Sequence, residues 1–555
     1  MIRKNSWVCD FETLGATESQ KLNRTYVWSW VAVRLDKPET YYGRNIEEFI
    51  AWAENASTIY FHNLKFDGSF ILDYIMKHGW NYHVMGKHDS PIAHDNSFSI
   101  VRSDRNVIYK ISLRYDCYRT CNIYDSLKKL PFKVKQIAES WNLPIKKGSI
   151  DYEQFRSEYH DITEEELEYV KDDALIVADV LHDMLEQGAD HMTIGGDALA
   201  DFKSTLTRAE LNLIKPVSFE VDQFCRQAYR GGFTWVNPKI KNQDLGVGVV
   251  YDNNSMHPSQ LYNQPMPVGQ PQYFTGEPQP TKAMPLYIVH CKITATVKPD
   301  HIPCISENKS FVGEAIYKSE VENFDLYASN IFLALIKRQY DIEELEYIDG
   351  YLFHQKRGLF KKYIDKWMEI KRTSKGAKRQ LAKLMLNNIY GKFGTRIEQT
   401  NVEPYLENGV VKYRKLETQQ TKQEYLPIAI FTTDYSKALV IDSAQAVYDR
   451  ICYIDTDSLH LTGTEIPNNI RIHESDLGAW KQESTFTRAR FLCPKRYIEE
   501  IDGVLQVTCG GMPDNVKEQV TWENFHSGSV FTGKLMPKTI NGGTILIPSE
   551  YKLRN

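Results

Sequence analysis

Ser6-Trp-Val-Cys-Asp-Phe-Glu-Thr13 decides how the first third of the chain is read. As a strand, its period of two puts Val8, Asp10 and Glu12 on one face and Trp7, Cys9 and Phe11 on the other. Two acids on one strand face are costly unless water, a partner or a metal reaches them. Working outward, Tyr60-Phe-His-Asn-Leu-Lys-Phe-Asp67-Gly68 reads as a strand end running into a helix, with Asp67 at the helix N-terminus. Thr163 and Glu166 form a capping box that opens a helix ending near Gly188. At about 100° per residue its apolar stripe is Leu167, Val170, Ala174, Val177, Leu181 and Met184. Asp173 falls at the edge of that stripe and should face protein. Asp172 falls opposite and should meet water. Tyr169 lies one turn before Asp173 on the same side. Any one of these acids alone is more often a cap or a solvated group. Asp10, Glu12, Asp67 and Asp173 in this order are the inventory of a two-metal nuclease, in which ions roughly 4 Å apart activate water and stabilise the leaving 3′ oxygen.

A second carboxylate set lies further along. Tyr251-Asp252-Asn-Asn-Ser255-Met-His257-Pro258 follows the β-like Val247-Gly-Val-Val250. Ile451-Cys-Tyr-Ile-Asp455-Thr-Asp457-Ser458-Leu-His-Leu461 reads as strand, tight turn, strand. A lone acidic turn is a polar hairpin tip. Joined to Asp252 after another strand, Asp455 and Asp457 make a metal site for phosphoryl transfer, a chemistry of in-line positioning and charge neutralisation. Between the two lies Lys378-Arg-Gln-Leu-Ala-Lys-Leu-Met-Leu-Asn-Asn-Ile-Tyr-Gly-Lys392, a two-faced helix. Arg379, Lys383 and Tyr390 fall within about 40° of one another, with Asn387 at their edge. Leu381, Leu384, Met385 and Asn388 fall opposite. A cation, an amide and an aromatic on one face can hold a triphosphate and a nascent base pair.

The 555 residues allow one to three domains, and 42% hydrophobic with 25% charged residues is an ordinary globular composition. Nine scattered Cys without a Cys-x-x-Cys pair indicate neither disulfides nor zinc, and hence a reducing cytosol. No apolar run approaches a membrane span, and no targeting signal is expected. The net charge of −5 hides strong segregation. Lys356 to Arg396 carries 13 Lys/Arg against Asp365 and Glu369, whereas Ser157 to Asp190 carries 12 acids against Lys171. The acidic run is mostly a solvated helix face; the basic run is expected to meet phosphate. Tyr262 to Gln355 looks like an insertion with a Pro-rich start and a mixed α/β pattern. Residues 395–424 look like a smaller one, with Asn408-Gly409 marking a hairpin.

These motifs resemble the protein-primed family B DNA polymerases of small tailed phages with linear genomes, the phi-twenty-nine type, over nearly the whole chain. The resemblance implies an α/β and α+β multidomain fold: a ribonuclease-H-like 3′→5′ exonuclease domain at 1–190, then a palm–fingers–thumb polymerase domain. Palm would occupy 191–261 and 425–509, fingers 356–394 and thumb 510–555. The insertions 262–355 and 395–424 sit where the family carries its two terminal-protein regions. Asp10/Glu12, Asn63–Asp67 and Tyr169–Asp173 are similar to the three exonuclease motifs, and Lys147 to an additional exonuclease lysine. Thr13, His62, Asn63, Phe66, Phe70, Ser126, Leu127 and Tyr152 are similar to its single-strand ligands. Asp252–Pro258, Lys383–Gly391 and Tyr453–Ser458 resemble motifs A, B and C. The resemblance makes Asp252, Asp455, Asp457 and the Asn253 backbone metal ligands, and His257, Lys371, Lys383, Asn387 and Tyr390 nucleotide ligands. Tyr229, Gly231, Gly232, Phe233, Arg379, Thr433, Lys437, Lys495 and Tyr497 become DNA ligands, with Lys437 replacing an arginine. It further implies two Mg²⁺ or Mn²⁺ ions per site and template and primer DNA with dNTPs. A terminal protein as primer, a single-stranded DNA-binding protein as partner, strand displacement, a monomer and the cytoplasm of an infected bacterial host complete the expectation.

Three departures stand out. His257 occupies the motif A position where the family carries a tyrosine beneath the incoming sugar. Asn388 replaces a serine in motif B, and Ser149 an aspartate near Lys147. Two other readings compete: a cellular-type family B polymerase, against which the insertions argue, and a non-catalytic DNA-binding factor, against which the complete set of seven carboxylates argues.

Overall fold

The computed structural model describes residues 5–83, 95–103, 106–145, 148, 150–151, 154–307 and 316–554. Lys147, Ser149 and Tyr152 lie outside the described residues. Ser6–Thr13 is a strand at the heart of an eight-stranded mixed sheet. The sheet order is Thr40–Gly43, Val27–Arg34, Ser6–Thr13, Thr58–Phe61, Thr120–Asp125, Ile108–Arg114, Ser97–Arg102 and Asn81–Tyr82. Ser6–Thr13, Thr58–Phe61 and Thr120–Asp125 run parallel, so their C-terminal ends open on one edge. The period-two reading holds. Val8 packs with Val170, Ala174 and Val177 of the helix Glu164–Glu186, while Trp7, Cys9 and Phe11 join Phe49, Phe61 and Phe70 on the far face. Each such fully buried aliphatic or aromatic side chain contributes roughly 1.5–3 kcal/mol. The capping box forms as read, with Glu166 N–H donating to Thr163 Oγ1 and Thr163 N–H to Glu166 Oε2.

A second, five-stranded antiparallel sheet carries the other acids, in the order Trp480–Phe486, Gly248–Asn253, Ser458–Thr462, Ile451–Asp455, Thr234–Val236. Asp252 lies inside its strand rather than beyond it, directly opposite Ser458. The two-residue turn Thr456-Asp457 forces the β-branched Thr456 to φ 65°, a strained conformation of the kind concentrated at functional sites. Its N–H donates to Phe233 O at 2.7 Å. A Cβ at Gly232 would lie 2.6 Å from Thr456 Cγ2, so the second glycine of Tyr229-Arg-Gly-Gly-Phe233 makes room for that turn.

Helices Lys361–Thr373 and Gly376–Phe393 pack on each other beside this sheet, and the deeply buried helix Pro427–Gln445 lies behind it. Among the described residues of 266–356, a separate four-stranded antiparallel sheet forms with the helix Asn330–Gln339. Glu398–Glu407 and Val410–Gln420 form the hairpin expected around Asn408-Gly409. It docks on the first sheet where Tyr82 Oη donates to Val402 O at 2.8 Å and Arg102 lies 3.7 Å over the Tyr413 ring. After a three-stranded sheet spanning 488–509, the hairpin Val530–Ile540/Gly543–Lys552 returns to the N-terminal region. Among the described residues no helix is long and apolar enough to cross a membrane, and all nine cysteines are free thiols.

Candidate active sites

The open edge of the first sheet is a cavity of about 570 Å³. Asp10, Glu12, Thr13, His62, Asn63, Phe66, Asp67, Tyr169 and Asp173 all line it. Three local features aim these groups. Asp10 and Glu12 share the strand face turned to helix Glu164–Glu186. Asp67 sits in the first turn of helix Leu64–Lys77, whose preceding residue Asn63 holds φ 87°. Asp173 and Tyr169 occupy the helix face read from the sequence, both buried; Asp172 is half-buried rather than open to water. Burial, then the neighbouring Asp10 charge, pushes the Asp67 carboxyl well above its ordinary range. Carboxylates converging in this way fit divalent cations through hard oxygen donors.

Other expected ligands of a single strand are not on this surface. Phe70 is 1% exposed, packed edge-on to Phe66 and against Gly543 of the C-terminal hairpin. Ser126 is fully buried; its hydroxyl donates to Phe61 O and meets His62 Nδ1 at 2.9 Å. Both support the cleft from behind. The sequence reading also missed a wall: Leu535, Ile545, Leu546 and Pro548 of the C-terminal hairpin close the cleft opposite the acids. Nothing in a strand pattern 500 residues away announces that contact.

The second cavity, about 1400 Å³, gathers Asp252, Asn253, Ser255, His257, Lys371, Arg379, Lys383, Asn387, Tyr390, Thr456 and Asp457. Asn253 N–H donates to Asp457 O at 2.8 Å, which ties the strand of Asp252 to the turn of Asp457. The helix wheel holds: Arg379, Lys383 and Asn387 are exposed into the cavity while Leu381, Leu384 and Met385 are buried. Asn388 turns away and its amide donates to Leu384 O. Lys371 donates to Ser255 Oγ at 3.0 Å; burial, then Lys383 and Arg379, depress its pKa. Burial, then Asp457 and Glu483, raises the Asp252 carboxyl to about 7, and burial also raises Asp457. Crowded, desolvated acids of this kind gain most from a cation, and their oxygen set fits Mg²⁺ or Mn²⁺.

Glu483 was not anticipated. Val250 pairs with Ser484 and Tyr251 with Gln482, so Glu483 is the extra residue of a β-bulge, re-aimed into the cavity. The five consecutive polar residues Lys481–Thr485 give the sequence no sign of which one the bulge re-aims.

Several expected ligands stand elsewhere. Asp455 stands beside the cavity lining, near enough to raise the Asp457 carboxyl, and Lys495 forms an ion pair with it from the turn before strand Arg496–Ile501. Tyr497 packs on Tyr453 beside that pair. Thr433 and Lys437 are buried in helix Pro427–Gln445. Lys437 lies 3.7 Å from Asp434 and over the Phe332 ring, and burial lowers its pKa to about 8. Tyr229 packs against Gly394, Phe233 is in the core, and Gly231 and Gly232 are exposed. His257 meets Ser436 Oγ through Nδ1 at 2.8 Å and Tyr390 at a ring distance of 4.0 Å. Burial, then the Lys437 charge, lowers its pKa to about 4.

Residues 51–160 and 154–475 match the family model of DNA polymerase type B, organellar and viral. The DNA polymerase of Bacillus phage Nf is 40% identical, covering 98% of this chain and 99% of its own. That of Bacillus phage phi29 is 39% identical, covering 99% of both. That of Streptococcus phage Cp-1 is 30% identical over 99% of this chain and 94% of its own. The crystal structure of Phi29 DNA polymerase superposes over all of both chains with a TM-score of 0.93 at 37% identity. The same enzyme with primer-template DNA and incoming nucleotides covers 99% of this chain and 100% of its own at TM-score 0.91 and 38% identity. The chain therefore belongs to the type B DNA polymerases of organelles and viruses, as a phage DNA polymerase of the phi29 type with their mixed α/β multidomain fold.

Proposed function

We propose that this polymerase starts synthesis on a terminal protein, copies DNA with strand displacement, and proofreads through a separate 3′→5′ exonuclease. The observation that carries the two-activity reading is that the carboxylate cavities share no lining residue. Asp252 and Asp457, with Glu483 beside them, would hold divalent metal in the larger cavity. Asp10, Glu12, Asp67 and Asp173 would hold it in the smaller one. Bound metal supplies charge neutralisation at the phosphate and an activated oxygen nucleophile.

The chain's own residues do the rest. Lys371, Arg379 and Lys383 offer fixed cations to a triphosphate, ready before the nucleotide arrives. His257 and Tyr390 form a continuous ring surface on which sugar and base can rest. Lys495 holds Asp455 beside the metal turn and so acts through it. In the smaller cavity Phe66 offers an aromatic face to a base and Asn63 a polar edge to the backbone, the equipment of a single-strand site. Template and primer DNA, dNTPs, a terminal protein and a single-stranded DNA-binding protein are the corresponding partners. The chain acts as a monomer in the cytoplasm of its bacterial host.

Paired variants test the two sites. Asp252→Ala or Asp457→Ala should lower nucleotide addition by at least about a thousandfold, ~4 kcal/mol of barrier, and leave degradation of a 3′ single strand intact. Asp10→Ala with Asp67→Ala should do the reverse. Equal loss of both activities in a folded variant sinks the separation. Protein priming is tested by supplying the candidate terminal protein, Mg²⁺ and dNTPs without any nucleic-acid primer; a covalent protein–nucleotide product is expected.

A further inference from the structure

Asp125 ends the strand Thr120–Asp125, next to Phe61 across the parallel pair and bonded to Asn63, which lines the smaller cleft. It is 2% exposed. One carboxylate oxygen accepts two backbone N–H groups, from Asn63 at 3.1 Å and from Leu127 at 3.0 Å. The other lies 3.3 Å from Lys128 Nζ. A buried side-chain oxygen is costly to leave without a partner, and two main-chain donors satisfy this one.

The two donors belong to different segments. Asn63 is the corner between the strand Thr58–Phe61 and the helix that carries Asp67, and it holds φ 87°, a conformation that a non-glycine residue keeps when its surroundings impose it. Leu127 is the middle residue of the short 3-10 turn Ser126–Lys128, which Asp125 caps. The adjacent His62 ring is fixed from both sides, by Ser126 Oγ at 2.9 Å and Phe132 O at 2.7 Å. One oxygen therefore sets the spacing between the two corners that flank the cleft floor.

We infer that Asp125 is a positioning residue for single-strand binding in the smaller cleft: it clamps the Asn63 and Leu127 corners so that His62, Asn63 and Phe66 face the strand. It does not line the cleft itself, so its action runs through the corners. The inference rests on the nuclease reading of that cleft.

Asp125→Ala removes the oxygen that accepts both N–H groups, and Asp125→Asn keeps an oxygen for them while removing the charge. With short 3′ single strands, Asp125→Ala should raise KM about tenfold with kcat within about threefold of the parent, since the loss falls on binding rather than on the metal acids. Asp125→Asn should restore KM to within about twofold, and primer extension in both variants serves as the measure of folding. Glycine reaches positive φ at little cost, so the Asp125→Ala effect should shrink in an Asn63→Gly background. An unchanged KM in Asp125→Ala, an Asn variant as defective as the Ala variant, or an equal effect in both backgrounds overturns the clamp. If Asp10→Ala with Asp67→Ala still degrades DNA, the nuclease reading itself has failed. If that pair is inactive while Asp125→Ala binds normally, only the clamp has failed.

Discussion

At His257, burial and the neighbouring Lys437 ammonium hold the imidazole neutral, with its pKa lowered to about 4. From sequence alone a histidine in this place suggests a sugar gate whose discrimination drifts between about pH 6 and 8. The structure removes the drift: the ring stays neutral throughout, pinned by Ser436 and packed on Tyr390. Discrimination should therefore be flat over that range. His257→Val, which empties the position, should raise the ribo- to deoxynucleotide ratio of kcat/KM by on the order of tenfold, ~1.4 kcal/mol; an unchanged ratio with extension intact removes His257 from the gate. Asp252 behaves oppositely. Its folded pKa, raised to about 7 from 3.8, makes the protonated carboxyl the favoured form in metal-free protein at lower pH. That contribution to stability is fully present below about 4 and is lost as pH rises through about 7. Metal must displace this proton, so the Mg²⁺ concentration for half-maximal extension should rise up to about tenfold between pH 7 and 6 and flatten above 8. A half-saturation that ignores pH would place the proton elsewhere.

Elements with a clean period were the most legible. Ser6–Thr13 alternates so strictly that both faces could be assigned before any contact was known, and the Thr163/Glu166 box gave the start of its helix. The Gly376–Phe393 helix was readable because its cationic and apolar residues fall on opposite sides. Glu483 was not, because a bulge breaks the alternation that sequence reading depends on. Nor was the burial of Thr433 and Lys437, since polar residues scattered among the apolar ones of Pro427–Gln445 mark no single buried face. The 398–420 hairpin was visible from Asn408-Gly409, but its docking on Tyr82 and Arg102 was not. With Lys65, Arg102, Lys412 and Lys415, the hairpin helps line a cavity of about 760 Å³ between the first sheet and the C-terminal hairpin. It supplies none of the acids of either active site. Deleting residues 398–421 should thus cut processivity and strand displacement by about tenfold or more, through loss of local retention on DNA. Addition of one nucleotide should stay near the parent rate. Equal extension of long and short gapped templates by the deletion variant would exclude a clamp.

Across the whole molecule the chain ends where it begins. Thr25 N–H donates to Asn541 O at 2.9 Å, and Gly542 N–H donates to Asp73 Oδ1 at 3.1 Å. This latch holds the tip of the C-terminal hairpin so that Leu535, Ile545, Leu546 and Pro548 roof the cleft built by residues 8–177. A sequence read segment by segment supplies the acids and the hairpin, but not the closure between them, because its bonds join groups at Thr25 and Asp73 to main-chain groups of Asn541 and Gly542 far along the chain. Gly542 is the weak point. At φ 96° a Cβ would lie 1.8 Å from Thr25 O, so Gly542→Val must release the tip through both clash and backbone strain. Faster amide exchange at Thr25 would report that release. With the tip free, the apolar wall leaves the cleft, and degradation of a single-stranded 3′ end should fall by on the order of tenfold, ~1.4 kcal/mol. The larger cavity shares no residue with this wall, so one-nucleotide addition should remain within about twofold of the parent. A released tip with parental degradation would mean that the floor of the cleft, with its clamped Asn63 corner, grips the strand without a roof.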